Sequence, residues 1–341
     1  MKSKVIFLQQ YEIHKDREEW AGEFYMEMSL LSQMDIEYEC LTAAADPAAM
    51  VAGLNEANMV LCWGNPLFSA SLLGSLPQLK VIIRYGIGTD SIDLQAAVEN
   101  GILVYNMPDS SKEELALHSL GLILASLRNI ARYDRRLRAG IWDKGGGPVP
   151  RRLKSMTAGI FGLGNSGRVL AGMLRGGVET LLACDPFVGV DEAAALGVEL
   201  VDFPELLARC DIISLHAPLR PETYHKFNRE TFTLMKPDSM LINVSRGELI
   251  DENDLAEALI CGQIGSAGLD VFEKEPLPQE SQLAALDNVV LTPHSAFFGR
   301  ESIEHMHQSA ARLIESFFSG VLDPAHVANP AVLDGLKITK G

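Results

Sequence analysis

A glycine-rich turn in the middle of the chain most constrains its fold. Residues 162–167 read Gly-Leu-Gly-Asn-Ser-Gly, follow the apolar run Ala158–Phe161 and open a predicted helix. In such a strand–turn–helix unit, Gly162 permits the tight turn, Gly164 lets the backbone approach a pyrophosphate, and Gly167 lets helix and strand pack closely. The motif predicts a parallel α/β domain whose helix N-terminus binds a dinucleotide, because backbone N–H groups there favour anions.

An acidic residue at the end of the next predicted strand, Leu181–Cys184, supports this interpretation. Asp185 stands where a carboxylate can accept hydrogen bonds from both hydroxyls of an adenosine ribose. The residues directly after it include no arginine that could pair with a 2′-phosphate, so the sequence favours NAD over NADP. The similar run Gly86–Ser91 lacks the third glycine, and we interpret it as a strand-end loop.

Short apolar runs alternate with helical segments along most of the chain. In the first third, strands are predicted at Val5–Leu8, Ile36–Leu41, Met59–Cys62, Val81–Ile83 and Ile102–Tyr105, and helices at Asp16–Met34, Pro47–Asn55 and Ile92–Glu99. From Met156 onward, strands are predicted at Ala158–Phe161, Leu181–Cys184, Ile212–Leu215, Met240–Val244, Gly268–Val271 and Val289–Leu291, and helices at Gly167–Leu174 and Glu252–Ile260. This alternation predicts an α/β protein with two doubly wound parallel sheets.

Two further helices are predicted from their ends. One should run from about Glu113 to Arg138, since Ser110 and Ser111 begin overlapping S-x-x-E capping boxes and Gly140 follows the last basic turn. The other, Glu301–Phe318, is amphipathic and too short to form a domain. We expect it to pack back onto the first domain.

Length and charge exclude several classes of protein. The 341 residues are too many for one compact core and fit two domains. With 29 basic and 45 acidic side chains the net charge is −16, so the surface repels phosphate backbones and anionic lipid, which argues against nucleic-acid and membrane partners. Five scattered cysteines without a C-x-x-C pair argue against a disulfide framework or a zinc site and fit the cytoplasm.

Four polar residues lie at or near the ends of predicted strands in the second half, where ligands bind in open α/β sheets: Arg246, Asp270, Glu275 and His294. Oxidation of an alcohol requires a base for the hydroxyl proton, and histidine titrates in a suitable range. We assign this role to His294, with Glu275 orienting and charging the imidazole and Arg246 binding carboxylate and carbonyl oxygens. Taken singly, each could be a surface, ion-pair or turn residue, so the hypothesis requires that they meet beside a nicotinamide.

Three blocks in this order resemble the D-isomer-specific 2-hydroxyacid dehydrogenases: Met235–Asp251, Gly268–Pro276 and Thr292–His294. The resemblance extends from about Lys80 to Ala311. It implies an NAD-dependent oxidoreductase that interconverts a small D-2-hydroxy acid and its 2-keto acid. It also implies a Rossmann NAD domain, residues 108–295, inserted into a flavodoxin-like substrate domain, residues 1–107 and 296–341, with the active site in the cleft between them and a homodimer formed through the NAD domain.

The resemblance also assigns roles to individual residues. Arg246, Glu275 and His294 match the catalytic positions. The implied cofactor-binding residues are Gly162, Gly164, Asn165, Ser166, Gly167, Asp185, His216, Pro218, Thr223, Val244, Ser245, Arg246, Asp270 and His294. The implied substrate-binding residues are Arg84, Ile87 and Gly88, the last two through their backbone amides, with Trp63, Gly64 and Phe297 as pocket walls.

The residues leave the substrate open, and two alternatives stand beside the main prediction. Phosphoglycerate is a further candidate substrate, although the loop Leu61–Asn65 lacks the arginines typical of enzymes that act on it. Arg84 together with Phe297 and Phe298 resembles the branch that contains the C-terminal-binding-protein corepressors. That resemblance implies a protein that senses NAD(H) and binds partners with weak or no turnover. The run Leu115–His118 departs from the V-A-E-H pattern frequent in the family.

Overall fold

The computed structural model describes residues 3–10, 24–145 and 147–334. They fall into two compact units: the first lies within Met1–Ser111 and Gly299–Gly341, and the second within Lys112–Phe298. Each unit contains one parallel sheet with helices, so the predicted α/β class with two doubly wound sheets is confirmed. The assignment of substrate binding and NAD binding to separate domains stays a prediction.

The sheet of the first unit has the strand order β2-β1-β3-β4-β5, which is the flavodoxin-like order. Its strands are β1 (Lys4–Gln9), β2 (Glu37–Thr42), β3 (Met59–Trp63), β4 (Val81–Arg84) and β5 (Leu103–Tyr105), and its helices before the second unit are α1 (Tyr25–Gln33), α2 (Pro47–Leu54), α3 (Ala70–Gly74) and α4 (Leu94–Glu99). Strands β3 and β4 are buried along their whole length, as expected for central parallel strands. Residues 16–23 of the predicted first helix lie outside the described part of the chain.

The sheet of the second unit has the order β12-β11-β10-β9-β6-β7-β8, a Rossmann order extended by one strand. Its strands are β6 (Thr157–Phe161), β7 (Thr180–Cys184), β8 (Glu199–Leu200), β9 (Ile212–Leu215), β10 (Met240–Asn243), β11 (Ser266–Leu269) and β12 (Val289–Leu291). Its helices are α5 (Lys112–Leu127), α6 (Ile130–Arg138), α7 (Asn165–Leu174), α8 (Val190–Ala195), α9 (Phe203–Arg209), α10 (Arg229–Phe232), α11 (Glu252–Ile260) and α12 (Gln282–Ala285).

The last helix, α13 (Arg300–Ser319), belongs to the first unit and packs against α1. The prediction that this segment returns to the first domain is therefore confirmed. Gly320 ends the helix in the left-handed region (φ 73°), the conformation that glycine adopts most readily at such ends. In the described part of the chain, no helix combines the length and the apolar character needed to cross a membrane.

The prediction of one continuous helix from Glu113 to Arg138 is wrong. The chain leaves the helix after Leu127, and Asn129 adopts a left-handed conformation (φ 54°) before α6 begins. The Asn129 Nδ2 atom donates to the carbonyl oxygen of Pro148 (3.0 Å), a contact between residues distant in sequence. Asparagine tolerates this backbone region better than most residues, so the tertiary contact overrides the helical pattern.

Candidate active site

The predicted nucleotide-binding and catalytic side chains of the second unit lie at one edge of its sheet. All strand pairs of this sheet are parallel, so the carboxyl ends of the strands meet at that edge. His294 follows β12, the loop Asp270–Glu275 follows β11, Arg246 follows β10 and His216 follows β9. The glycine turn follows β6 and Asp185 follows β7, further along the same edge.

The three glycines of the turn differ in what surrounds them. Gly162 has φ 95°, and a Cβ atom there would lie 2.5 Å from the backbone nitrogen of Ala217. A Cβ atom on Gly167 would lie 2.3 Å from the carbonyl oxygen of Gly162, so only glycine permits this helix–strand approach. A Cβ atom on Gly164 would meet no heavy atom within 4 Å. The turn therefore offers a tight bend, a close packing contact and an open approach at the start of α7.

The Asp185 carboxylate connects the glycine turn with the end of β7. Its Oδ2 atom accepts a hydrogen bond from the backbone N–H of Leu163 (2.7 Å), and Oδ1 accepts one from the N–H of Phe187 (2.8 Å). The guanidinium of Arg220 lies 5.5 Å from the centre of the Phe187 ring. The residues after Asp185 did not predict this basic group, because it comes from the loop that follows β9.

His216 lies between two serine hydroxyls. Its Nδ1 atom is 3.0 Å from Ser166 Oγ and its Nε2 atom is 2.9 Å from Ser214 Oγ. Burial lowers the pKa of His216 to about 4, so the ring is neutral at pH 7. The imidazole thus joins the loop after β9 to the first turn of α7. Sequence analysis predicted His216 and Ser166 for this region but not Ser214, because a serine inside an apolar strand belongs to no motif.

The loop after His216 is stabilised by Thr223. The Oγ1 atom of Thr223 accepts a hydrogen bond from the backbone N–H of Arg220 (2.8 Å) and donates to the carbonyl oxygen of Pro218 (2.8 Å). Pro218 and Thr223 were both predicted to contact the cofactor. These contacts lie within the loop and fix its shape.

The segment Val244–Arg246 is tied to its neighbours at the end of β10. Ser245 Oγ donates to the carbonyl oxygen of Ala217, which joins the loops after β10 and β9. The Asn243 side chain fixes the turn, since Oδ1 accepts from the Ser245 N–H (3.0 Å) and Nδ2 donates to the Arg246 carbonyl oxygen (2.7 Å). The Arg246 guanidinium donates to the Ser245 carbonyl oxygen (2.6 Å).

Asp270 is fully buried and fixes the turn that carries His294. Its Oδ1 atom accepts hydrogen bonds from Thr292 Oγ1 (2.6 Å) and the Ser295 N–H (2.9 Å), and Oδ2 accepts one from the Ala296 N–H (2.8 Å). The carbonyl oxygen of Asp270 accepts the N–H of His294 (2.7 Å). These bonds stabilise the left-handed backbone of His294 (φ 51°).

His118 on α5 adds to this network and was missed as a site residue. Its Nε2 atom lies 2.9 Å from Thr292 Oγ1 and 3.5 Å from Asp270 Oδ1. The one signal in the sequence was the run Leu115–His118, in which a histidine interrupts a largely apolar stretch of the helix. The spacing of Thr292 in Thr-Pro-His gave no indication of a contact with α5.

The structure brings His294 and Glu275 together. The distance between His294 Nδ1 and Glu275 Oε2 is 2.7 Å, and Oε1 of the same carboxylate accepts the Phe272 N–H (3.1 Å). The side chains of His294 and Glu275 are 29% and 23% exposed, so solvent or a ligand can reach the pair. The ring of Phe297 stands edge-on to the imidazole, with 6.4 Å between centroids.

Gly247 explains why Arg246 lies beside the loop that carries Glu275. A Cβ atom on Gly247 would lie 1.9 Å from the carbonyl carbon of Phe272, a distance that no other residue could tolerate without displacement of the backbone. The loops after β10 and β11 are therefore in direct backbone contact. Gly247 lies within the block Met235–Asp251, and the sequence pattern did not predict this packing role.

Arg84, the last residue of β4, forms hydrogen bonds with the loops that follow β3 and β4 in the first unit. It is buried, with 7% of its surface exposed, and its Nη2 atom donates to Asn65 Oδ1 (2.7 Å) while Nη1 donates to the carbonyl oxygen of Tyr85. Gly86 has φ 133° and lies against this guanidinium. Arg84 was predicted as a substrate ligand, and these contacts give it a role in holding the loops after β3 and β4.

The predicted pocket residues Trp63 and Gly64 lie at the end of β3. Trp63 is buried, and Gly64 has φ 81°, where an added Cβ atom would lie 2.7 Å from the Cβ atom of Gln10. Gln10 Oε1 accepts the N–H of Asn65 (2.6 Å). The loop after β3 is thus fixed from the neighbouring end of β1.

Ile87 and Gly88 present backbone N–H groups in succession. Within residues 3–10, 24–145 and 147–334, neither N–H has a protein acceptor. The Ile87 carbonyl oxygen accepts a hydrogen bond from Asn106 Nδ2 (2.7 Å), which holds the loop in place. Successive N–H groups of this kind are a recurrent binding site for anions.

Residues 120–296 match the sequence model of a family described as "D-isomer specific 2-hydroxyacid dehydrogenase, NAD binding domain". The D-3-phosphoglycerate dehydrogenase of Mycobacterium leprae is 37% identical over 271 residues, which cover 80% of this chain and 50% of that protein. The glyoxylate reductase of Thermofilum pendens is 37% identical over 282 residues, covering 82% of this chain and 83% of that protein.

Among solved structures, the chain is similar to a D-lactate dehydrogenase of Aquifex aeolicus complexed with NAD and lactic acid. The TM-score is 0.79 at 26% identity, and the match covers 97% of this chain and 98% of that chain. The chain spans about half the length of the phosphoglycerate dehydrogenases it matches.

Proposed function

The chain belongs to the family of D-isomer-specific 2-hydroxyacid dehydrogenases, and on this basis we propose that it interconverts a small D-2-hydroxy acid and the corresponding 2-keto acid with NAD. The observation that carries the proposal is the 2.7 Å contact between His294 Nδ1 and Glu275 Oε2 at the sheet edge that also carries the glycine turn. An imidazole beside a carboxylate is suited to proton transfer at an alcohol or ketone oxygen. The D configuration comes from family membership.

The residues at the sheet edge fit NAD. The open space beside Gly164 and the first N–H groups of α7 suit a pyrophosphate, and the Asp185 carboxylate has lone pairs left for ribose hydroxyls after accepting two backbone hydrogen bonds. When bound, NADH supplies the hydride that reduces the keto carbon. Asn165, Ser166 and the segments after β9 and β10 complete the proposed cofactor site.

His294 and Glu275 act on the proton. In reduction, His294 donates a proton from Nε2 to the oxygen of the keto group, because its Nδ1 atom faces Glu275. The Glu275 carboxylate fixes the orientation of the imidazole through its contact with Nδ1. In oxidation, His294 accepts the hydroxyl proton. Arg246 binds the keto oxygen and stabilises the negative charge that develops on it.

The loop after β4 binds the carboxylate of the substrate in this proposal. Among the described residues, the N–H groups of Ile87 and Gly88 have no protein acceptor. They can therefore donate hydrogen bonds to a carboxylate oxygen. We propose that Trp63, Gly64 and Phe297 contact the substrate side chain. Arg84 supports the loop through Tyr85 and its positive charge favours an anion.

A phosphorylated substrate is the second candidate, since several relatives are named D-3-phosphoglycerate dehydrogenase. Residues 63–66 and 84–91 contain a single cationic side chain, Arg84, and its guanidinium donates to Asn65 and Tyr85. A phosphate dianion requires more positive charge than this loop pair offers. We therefore favour an unphosphorylated keto acid such as glyoxylate, hydroxypyruvate or a bulkier analogue.

We propose further that the protein is a homodimer that assembles through its second unit. Large apolar side chains on α5, α6 and the following segment are exposed: Leu117 (61%), Ile130 (55%), Leu137 (55%), Ile141 (45%) and Trp142 (90%). An apolar surface of this kind is typical of an interface. Light scattering should give a mass of two chains for the wild type, and Trp142→Ser should weaken the dimer.

We also propose a cytoplasmic location for the protein. Five scattered cysteines without a disulfide framework support this location.

A panel of 2-keto acids assayed by the loss of NADH absorbance tests the activity. We expect turnover of at least one unphosphorylated keto acid, and loss of that turnover in His294→Asn with NADH binding retained. Preference for phosphohydroxypyruvate would select the phosphoglycerate alternative. Tight NADH binding without turnover of any panel member would contradict the proposal and favour an NAD(H)-sensing, partner-binding protein.

A further inference from the structure

A buried cluster of titratable groups in the first unit takes no part in the chemistry described above. Glu27 on α1 is fully buried, and its Oε1 atom lies 2.8 Å from His307 Nδ1 on α13. The same oxygen accepts a hydrogen bond from the Tyr85 hydroxyl (2.6 Å). The other oxygen, Oε2, has no hydrogen-bond partner among the described residues. Burying a carboxylate that is only partly satisfied costs free energy, so stability alone does not account for this cluster.

The cluster contacts two loops that the proposed function assigns to the substrate. Tyr85 is the first residue after β4 and precedes Gly86, Ile87 and Gly88 by at most three positions. On the other side, the Trp63 ring stacks on the His307 ring, with centroids 6.0 Å apart and an interplanar angle of 19°. The Trp63 and Tyr85 rings lie 5.2 Å apart. One buried pair, Glu27–His307, therefore meets both loops.

The loop after β4 is fixed at two residues, Tyr85 and Gly86, directly before the N–H groups of Ile87 and Gly88. The Tyr85 side chain is anchored on Glu27, and its backbone N–H donates to the Cys62 carbonyl oxygen (3.0 Å). Beyond that point, the Met107 N–H donates to the Gly86 carbonyl oxygen (2.9 Å). A displaced Tyr85 would therefore carry with it the backbone that presents the N–H of Ile87.

We propose that Glu27 and His307 are positioning residues that fix the Trp63–Asn65 and Tyr85–Gly88 loops, and thereby the carboxylate and side chain of the substrate. This inference rests on the proposed function for its link to the substrate. The link from the buried pair to the two loops is independent of that function and is tested separately.

Amide hydrogen exchange followed by mass spectrometry tests the link to the loops. Glu27→Leu removes both contacts at similar volume, Tyr85→Phe removes only the hydroxyl, and Glu27→Gln keeps an acceptor oxygen. In Glu27→Leu and Tyr85→Phe, we expect the hydrogen-bonded amides of Asn65 and Tyr85 to exchange about tenfold faster than in the wild type, since a lost buried hydrogen bond is worth about that factor. In Glu27→Gln, exchange should return toward the wild-type rate.

Asn329→Ala is the matched control, because Asn329 makes buried hydrogen bonds elsewhere in the same unit. Its side chain accepts the Val104 N–H (2.9 Å) and donates to the Ile102 carbonyl oxygen (2.8 Å). This variant should lose stability without faster exchange in the two loops. Unchanged exchange in Tyr85→Phe, the milder variant, would overturn the proposal, as would equal acceleration in Asn329→Ala.

Steady-state kinetics test the link to the substrate. For a keto acid that the wild type reduces, Tyr85→Phe and Glu27→Leu should raise KM about tenfold, while the Kd of NADH changes by less than about twofold. An equal loss in NADH affinity would indicate general damage and contradict a positioning role. If the wild type reduces no keto acid, the proposed function fails, and the exchange rates still decide whether the buried pair fixes the loops.

Discussion

His294 Nδ1 lies 2.7 Å from Glu275 Oε2, and the carboxylate that faces the ring is itself fixed by the Phe272 N–H. A carboxylate in this position favours the ring form with hydrogen on Nδ1, which leaves Nε2 to exchange a proton with a ligand. Nδ1 is therefore anchored on Glu275, and Nε2 is the nitrogen to which we assign the proposed proton transfer.

Glu275→Gln should keep the shape of this pair and remove its charge. The carboxamide keeps the volume but loses the ionic hydrogen bond that orients the imidazole ring. We therefore expect kcat for keto-acid reduction to fall by at least about tenfold, while the Kd of NADH changes by less than about twofold. An unchanged kcat in Glu275→Gln would contradict the assignment of Glu275.

His294→Asn should remove the proton donor and preserve the backbone. Asparagine tolerates the left-handed region in which His294 lies (φ 51°), so the melting temperature should change little. The kcat should fall by about 10²- to 10⁴-fold, the usual contribution of a general acid or base. His294→Ala tests the backbone argument, since alanine should lower the melting temperature more than asparagine does.

Gly164→Ala should weaken NADH binding without unfolding the protein. In the polypeptide alone, a Cβ atom there meets no heavy atom within 4 Å and the backbone φ is −79°, so alanine fits. The added methyl group would occupy the space proposed for the pyrophosphate, and we expect the Kd of NADH to rise by about tenfold or more. Gly172→Ala, in the exposed interior of α7, is the control and should stabilise the helix by about 0.5–1 kcal/mol without affecting NADH. Similar NADH affinity in both variants would indicate that the cofactor does not bind at this turn.

Asp185→Ser should relax the preference for NADH over NADPH. The variant removes the charge that repels a 2′-phosphate, and the Arg220 guanidinium lies 5.5 Å from the centre of the Phe187 ring, two residues after Asp185. The ratio of kcat/KM for NADH to that for NADPH should fall by at least about tenfold. An unaltered ratio would show that Asp185 does not contact the ribose.

The stability of the protein without cofactor should depend on His216 between pH 6.5 and 4. Burial lowers the pKa of this imidazole from 6.5 to about 4, so in that range the unfolded chain binds a proton that the folded chain does not. The free energy of unfolding therefore falls as the pH falls through this window, by about 1–2 kcal/mol between pH 7 and pH 5 for this group. Urea unfolding of the wild type and His216→Asn at several pH values isolates the contribution. If the free energy of unfolding changed with pH in the same way in both proteins, the assigned contribution of His216 would be refuted.

Local patterns in the sequence predicted the elements and the turn chemistry well. Alternating apolar runs and helical segments placed the main strands to within one or two residues, because side-chain periodicity is a local property. The one helix wrongly extended, Glu113–Arg138, shows the limit of this reasoning. Its break at Asn129 depends on the distant carbonyl of Pro148, which no window of adjacent residues contains.

The parallel α/β architecture, the position of the glycine turn and the placement of Arg246, Glu275 and His294 after successive strands all follow from local sequence patterns. Which of these groups touch depends on tertiary packing. Register and packing brought Glu275 to His294, folded the His294 turn onto Asp270, and paired Glu27 with His307 across 280 residues. Such contacts depend on how sheets and helices pack in three dimensions, whereas periodicity and turn preference report only on neighbours along the chain.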